Sequence, residues 1–219
     1  MGKNKPDFEK IAAQLARPSG EEGIDVGNRM NQSNGQITLD AIDLLDLADG
    51  DEILELGPGN AKFAENAIQK ATNIKYVGAD ISEVMVDEAR KVNSAFCNDG
   101  SASFYLIKGD ELPFSDECFE KIFTVNTLYF WKNPLKQLEE LHRVLKPGGT
   151  LCIAIRSRDF METLPFTKFG FTLYSPEEGM ELFKQSAFVG ITYSIVSTIG
   201  ETFTGDPVVK DDVFFILRK

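Results

Sequence analysis

The sequence predicts an α/β fold: a three-layer sandwich on a mainly parallel seven-stranded sheet, closed by a C-terminal antiparallel hairpin. Three observations predict it. Between residues 50 and 155, short β-type runs alternate with stretches of helical periodicity, the pattern of a parallel sheet covered on both faces. Beyond residue 188, two β-type runs, 189–199 and 212–217, follow one another without a helix between them, which makes them an antiparallel pair. The length of 219 residues and the 42% apolar content suit one domain with a full core.

The elements follow in order. Residues 1–49 read as a helical cap: Phe8, Ile11, Ala12 and Leu15 share one face, and Ile37 to Leu47 places Leu39, Ile42, Leu44 and Leu45 at helical spacing. The segment between them, PSGEEGIDVGNRMNQSNGQ, is polar and glycine-bearing, a loop or a short helix over a cleft. Residues 50–155 carry strand EILEL, helix 60–71, strand IKYVGA, a helix from Ser82 to about Val92 and strand SFYLIK. Ser82 is the N-cap of that helix, with Met85, Ala89 and Val92 as its buried stripe. FEKIFTV reads as the fourth strand. Asn133-Pro134 then opens a helix with Leu138, Leu141 and Leu145 inward, Lys146 to Gly149 end it, and TLCIAI is the fifth strand. Residues 156–219 begin with an aromatic-rich connection holding Phe160, Phe166, Phe169, Phe171 and Tyr174. A capping box at Ser175-Pro176-Glu177-Glu178 follows, opening a helix with Met180, Phe183 and Ala187 on its apolar face, and the hairpin completes the chain.

Composition narrows the partners. Lys and Arg number 23 against 34 Asp and Glu, a net charge of −11, which disfavours nucleic acid and anionic membrane. Arg156 with Arg158 is the one hint of a basic patch, and two arginines are most often ordinary surface charge. No apolar run nears the roughly 18 to 20 residues of a bilayer span. The start, MGKNKP, lacks the apolar core of a secretion signal and places Pro6 where a myristoylation signal wants Ser or Thr, so the expected location is cytoplasmic. Three cysteines without a paired motif and a single histidine predict neither a disulfide framework nor a required metal. The oligomeric state is not legible.

In such a sheet, ligands bind beyond the carboxyl ends of the strands, here after residues 56, 79, 107 and 125. The first of these places holds ILELGPGNAKFA, residues 53–64. It is no phosphate loop, because G-x-x-x-x-G-K-[ST] is missing. A dinucleotide fingerprint fails at Lys62, where helix and strand must approach closely. Glu55 beside the turn opposes a pyrophosphate and welcomes a cationic ligand end.

E-L-G-P-G-N-A resembles the first motif of the class I S-adenosylmethionine-dependent methyltransferases, with Ala61 in place of the third glycine. The resemblance implies a Rossmann-like fold and puts Glu55, Gly57 and Gly59 under the cofactor's amino-acid end. Asp80, 21 positions after Gly59, stands where the ribose-binding carboxylate is expected, although it is also placed to cap the next helix. GADISEVMVDEAR is similar to the family's second motif, which implies that Ile81 and Met85 pack against adenine. KGDELPFSDECFEKIF resembles the third, two residues shorter, so that either Asp110 or Glu111 would reach the adenine amino group. LHRVLKPGG is similar to the segment before strand five. The matches cover about residues 50–155, leaving 156–219 as the acceptor side.

The activity so implied is methyl transfer from S-adenosyl-L-methionine to a small-molecule acceptor by in-line displacement, in which alignment does most of the work and a general base is optional. Asn126 is expected at the cofactor's methionine end, and Tyr129 is the candidate catalytic residue facing the acceptor. His142 lies about 12 Å down a helix from the ligand edge and reads as structural. Met30, Asn31 and Asn34, with residues 156–174, are expected to roof the acceptor site. The alternatives are a nicotinamide oxidoreductase on the same fold, or a non-catalytic domain that binds S-adenosylmethionine.

Overall fold

The central strands are apolar on both sides, and the sheet they build is covered on both faces. The computed structural model describes residues 6–202 and 204–219; the five residues before them, on which the reading of an absent leader rests, lie outside that range. The strands are β1 (Glu52–Leu56), β2 (Lys75–Asp80), β3 (Ala102–Leu106), β4 (Phe119–Val125), β5 (Leu145–Arg156), β6 (Val189–Glu201) and β7 (Pro207–Arg218), in the order β3-β2-β1-β4-β5-β7-β6. The pairs among β1 to β5 are parallel, and β7 runs antiparallel between β5 and β6. The direction of winding reverses between β1 and β4, which opens the crevice where a ligand of this architecture sits.

The helices are α1 (Phe8–Ala16), α2 (Gly20–Leu44), α3 (Ala64–Ile68), α4 (Glu83–Val92), α5 (Ser94–Asn98), α6 (Pro134–Val144), α7 (Arg158–Met161) and α8 (Pro176–Phe183). One face of the sheet packs Ile53, Phe123, Cys152 and Phe214 against Ile37 and Ala41 of α2, Ala64 of α3 and Ala89 of α4. The other packs Leu54, Ile122, Leu151 and Phe215 against Leu138 and Leu141 of α6, Phe160 of α7 and Phe183 of α8. Cys152, at the sheet centre, is fully buried, and burial pushes its thiol up to about 12; Cys97 and Cys118 are half-buried. The expected caps form: Ser82 accepts from the Met85 N–H, Asn133 from the Lys136 N–H, and Ser175 with Glu178 closes a capping box.

Five expectations change. The polar segment after Pro18 is neither loop nor short helix: it runs into the following stretch as one 25-residue helix, α2. Its glycines are contact points, since a Cβ on Gly27 would stand 2.9 Å from Met85 Sδ and one on Gly35 would stand 3.2 Å from Phe63. The helix expected over 60–71 shrinks to α3, because Gly57, Gly59 and Ala61 all adopt positive φ and hold the chain in a turn. The helix α6 does end before Lys146, at Val144, but Leu145, expected on its inner face, and residues 146–149 belong to β5, beyond a register shift at Phe119 and Lys121. Val92 is exposed, Val86 taking its place in the core, and α8 stops at Phe183, so that Phe188 is buried where Ala187 was expected.

Candidate functional site

The glycine turn closes β1 onto the crevice. Gly57 has φ 73° and Gly59 φ 58°, and a Cβ on Gly57 would lie 2.5 Å from Thr127 Cγ2, so both the backbone angle and the space require glycine there. Ala61, at the third position of the motif, is left-handed as well, with φ 50°. For a residue with a Cβ that conformation costs roughly 1–2 kcal/mol.

Two buried carboxylates flank the turn. Glu55 is 5% exposed and accepts a hydrogen bond from the Tyr76 hydroxyl; desolvation raises its pKa to about 7, with the Tyr76 bond opposing and the Asp80 charge assisting. Asp80 is 7% exposed; Oδ2 accepts from the Gly59 N–H at 3.0 Å and Oδ1 from the Ser82 N–H at 2.8 Å. Burial raises its pKa also, against the pull of those N–H groups and of Arg17. Asp80 therefore both braces the turn and holds Ser82, the N-cap residue of α4. A small cavity of about 40 Å³ lies here between Glu55, Gly57, Gly59 and Val125 on one side and Met30, Asn31, Asn34 and Thr38 of α2 on the other. Met85 is buried against Gly27 and Gly59, and Ile81 is 37% exposed. Asp110 lies 3.9 Å from Lys136 Nζ, Glu111 is exposed, and neither lines this cavity.

A larger cavity, about 470 Å³, opens beside it at the ends of β4 and β5 and shares Met30 and Asn34 as walls. Phe130, Phe160, Phe166, Phe171, Met161 and Leu164 supply its apolar lining, while Asn126, Arg156, Glu201 and Lys210 supply polar groups. Of the aromatic connection, Phe169 points out, 41% exposed. The Tyr129 ring reaches the wall, but its hydroxyl is taken: it accepts from the Arg156 N–H at 2.6 Å and donates to the Arg156 carbonyl at 2.9 Å, and burial raises its pKa well above the usual range. Asn126, at φ 57°, lies 3.2 Å from that hydroxyl, and its Nδ2 is buried without a hydrogen-bond partner. Whichever way the amide is turned, one of its polar atoms remains unpaired. An unpaired buried amide on a cavity wall is free to hydrogen-bond a water or a ligand there.

Arg156 ties the cavity together. Its Nη2 donates to the Ser33 carbonyl on α2 at 2.5 Å, its Nε lies 3.4 Å from Asp212 Oδ1, and its guanidinium stands 5.9 Å from the Phe160 ring centre. Asp212, opposite Arg156 in the β5–β7 ladder, has its pKa raised by burial against the pull of Arg156 and Lys210. Arg158 pairs with Glu178 at 2.6 Å, so the two arginines form no free basic patch. His142, on α6, stacks edge-on against Phe188 and lines neither cavity. Among the described residues, no group of three or more His, Cys, Asp or Glu is placed to hold a metal ion, and no helix is long and apolar enough to cross a membrane.

Thr127, expected beside Asn126 and Tyr129 after the fourth strand, packs against Gly57; sequence reasoning missed Tyr76, Arg156 in this role, and Asp212. Only the strand registers bring them in, and no local pattern marks them.

Comparison with known proteins gives a consistent result. A methyltransferase domain family matches residues 54–153. An uncharacterised protein of Methanocaldococcus jannaschii is 37% identical over 147 residues, 63% of this chain and 64% of that one. A demethylmenaquinone methyltransferase of Clavibacter sepedonicus is 32% identical over 125 residues, 57% of this chain and 48% of its own. The chain thus spans less than two thirds of either relative's length. Among solved structures, the methyltransferase chain in a complex with the Haloferax volcanii Trm112 methyltransferase activator superposes with a TM-score of 0.73 at 20% identity, covering 99% of both chains.

Proposed function

We propose, for a chain whose residues 54–153 place it among the class I S-adenosylmethionine-dependent methyltransferases, that it methylates a small molecule with an apolar, ring-bearing body. S-adenosylmethionine is the methyl donor, and when bound it supplies a methyl group already made electrophilic by the sulfonium. The residues present fit it. The glycine turn leaves space where a Cβ would intrude, Glu55 offers negative charge to a cationic amino-acid end, and Asp80 offers carboxylate oxygens to a pair of hydroxyls. Ile81 and Met85 are proposed to flank the adenine, with Asp110 or Glu111 at its amino edge. Asn126 is the proposed hinge between the sites, its unpaired amide serving the cofactor's methionine end or the acceptor.

The observation that carries the acceptor reading is the larger cavity, whose volume of about 470 Å³ falls in the usual range for small-molecule sites and which shares two walls with the crevice at the glycine turn. Its aromatic lining suits an apolar ring, and stripping water from the reacting atoms follows from such a lining. Tyr129, with its hydroxyl engaged, is proposed to shape that wall and hold Arg156, not to move a proton. A panel of phenols, quinols, amines and carboxylates with radiolabelled cofactor tests the reading. Methyl transfer to a ring-bearing member supports it; cofactor binding without transfer to any acceptor leaves the non-catalytic binding domain in its place.

The Haloferax chain is solved with an activator, and we carry that to this chain as a proposal only: mixing it with a Trm112-type protein should raise its methyl-transfer rate, and an unchanged rate removes the partner.

A further inference from the structure

The sheet has two free edges, and they are built differently. β3 is five residues long, and cationic side chains cover its backbone: Arg90 Nη2 donates to the Phe104 carbonyl at 2.7 Å, and Lys75 Nζ to the neighbouring Gly100 carbonyl at 2.9 Å. Such charges keep a strand edge from pairing with another chain. β6 has no such guard. It is 13 residues long, and residues 189–200, VGITYSIVSTIG, hold no charge and no proline in a chain with 23 basic and 34 acidic side chains. Tyr193, Ile195 and Ile199 are exposed on one face and Val196 on the other, Ile199 at 75%. From Thr192 to Glu201 the register with β7 is unbroken, so the outer edge is a regular ladder that no described strand occupies.

We propose that this edge is a homodimer interface, in which β6 pairs antiparallel with β6 of a second copy about a two-fold axis at Val196. Charge favours a copy of the same chain at this place. At a net charge of −11 two copies repel one another over most of their surface, whereas residues 189–200 bring no charge of their own to the contact. The sequence is also complementary to itself. With Val196 on the axis, Tyr193 faces Ile199, Ser194 faces Thr198 and Ile195 faces Ser197, giving aromatic–β-branched and hydroxyl pairs of the kind that stabilise strand pairing. About the axis at Val196, residues 191–201 pair with their copies, 11 residues extending about 36 Å, and side chains on both faces add to the area a stable interface needs, roughly 800 Å² per partner. A closed two-fold contact is also the commonest oligomeric arrangement. Gly200 and Glu201, at the far end of the same strand, line the larger cavity, so pairing would brace that wall.

Sedimentation equilibrium of the full chain over a concentration series tests this. Twice the chain mass is expected. Ile195→Lys and Ile199→Lys should each weaken association at least tenfold, while Tyr105→Lys on the β3 edge leaves it unchanged. Hydrogen exchange on the unaltered chain gives a reading that no variant can spoil: amides of residues 192–200 should gain protection as concentration rises. A chain that stays monomeric far above assay concentration, a dimer indifferent to both lysine variants, or β6 amides that exchange at the same rate at every concentration would overturn the proposal.

Discussion

The two cavities differ in almost every respect. The crevice at the glycine turn is small, mixed in lining and tightly determined: three left-handed residues, two buried carboxylates and a helix laid over them leave about 40 Å³. The neighbouring cavity is more than ten times larger, lined by rings, and built from α2, the connection after β5 and the tip of the hairpin. The first is floored by one short segment, residues 55–63 at the end of β1, with α2 laid over it. The second is assembled from segments far apart. On the proposed reading a fixed cofactor occupies the former and a variable acceptor the latter, the division by which one fold serves many substrates.

The comparison is most sharply tested at Asp80. Asp80→Ala removes a carboxylate that accepts two backbone N–H groups and is proposed to hold the ribose, so affinity for S-adenosylhomocysteine should fall on the order of 100-fold or more. Stability should fall by about 2–4 kcal/mol as well, because the Gly59 and Ser82 N–H groups lose their partner. Calorimetric titration and denaturant melts separate the two losses. Unchanged affinity in folded protein would detach Asp80 from the ligand.

On the other side, Tyr129→Phe deletes the hydroxyl that satisfies both backbone groups of Arg156 and should cost about 2–3 kcal/mol of stability. The methyl-transfer rate of the folded fraction should stay within about threefold, which is under 1 kcal/mol of barrier. A hundredfold loss of kcat with a changed pH profile would restore a catalytic role to the phenol.

Between these lies a pH effect confined to the crevice. Glu55 holds its proton up to about pH 7, above its ordinary value of 4.5, so the free protein binds one more proton than the unfolded chain between those two pH values. Stability from this group therefore falls as pH rises from about 4.5 to 7 and is level above. Cofactor affinity runs the other way, since a positively charged ligand prefers the ionised carboxylate. Affinity for S-adenosylmethionine should climb about tenfold from pH 6 to 8, and Glu55→Gln should flatten the climb. A slope that survives the substitution would place the titrating group elsewhere.

The smallest expected effect is a gain. Ala61→Gly relieves a left-handed alanine and should raise stability by about 1 kcal/mol, which is roughly 2–4 °C in Tm for a chain of this size. A lower Tm would mean that the lost methyl contact, at a residue 2% exposed, outweighs the strain.

The same contrast explains what the sequence made legible. The succession of strands and helices, the helix caps and the crevice acids follow from local patterns: Glu55 and Asp80 each stand beside their own turn, and Ser82 caps its own helix. The acceptor side has no such code. Arg156 meets Asp212 only because β7 enters the sheet beside β5, 56 positions along the chain. The polar stretch before Ile37 reads as a loop or at most a short helix because glycine disfavours helix, whereas its glycines are what let α2 lie close to Met85 and Phe63.

Cys152 offers a practical consequence. Fully buried in β5 and with a thiol that ionises only near pH 12, it is shut off from alkylating reagents while the sheet is intact. Cys97 and Cys118, half-buried, are the faster partners. The slow phase of thiol labelling is thus a native stopwatch for rupture at the sheet centre, readable by mass spectrometry without any engineered probe, and a saturating ligand should lengthen it.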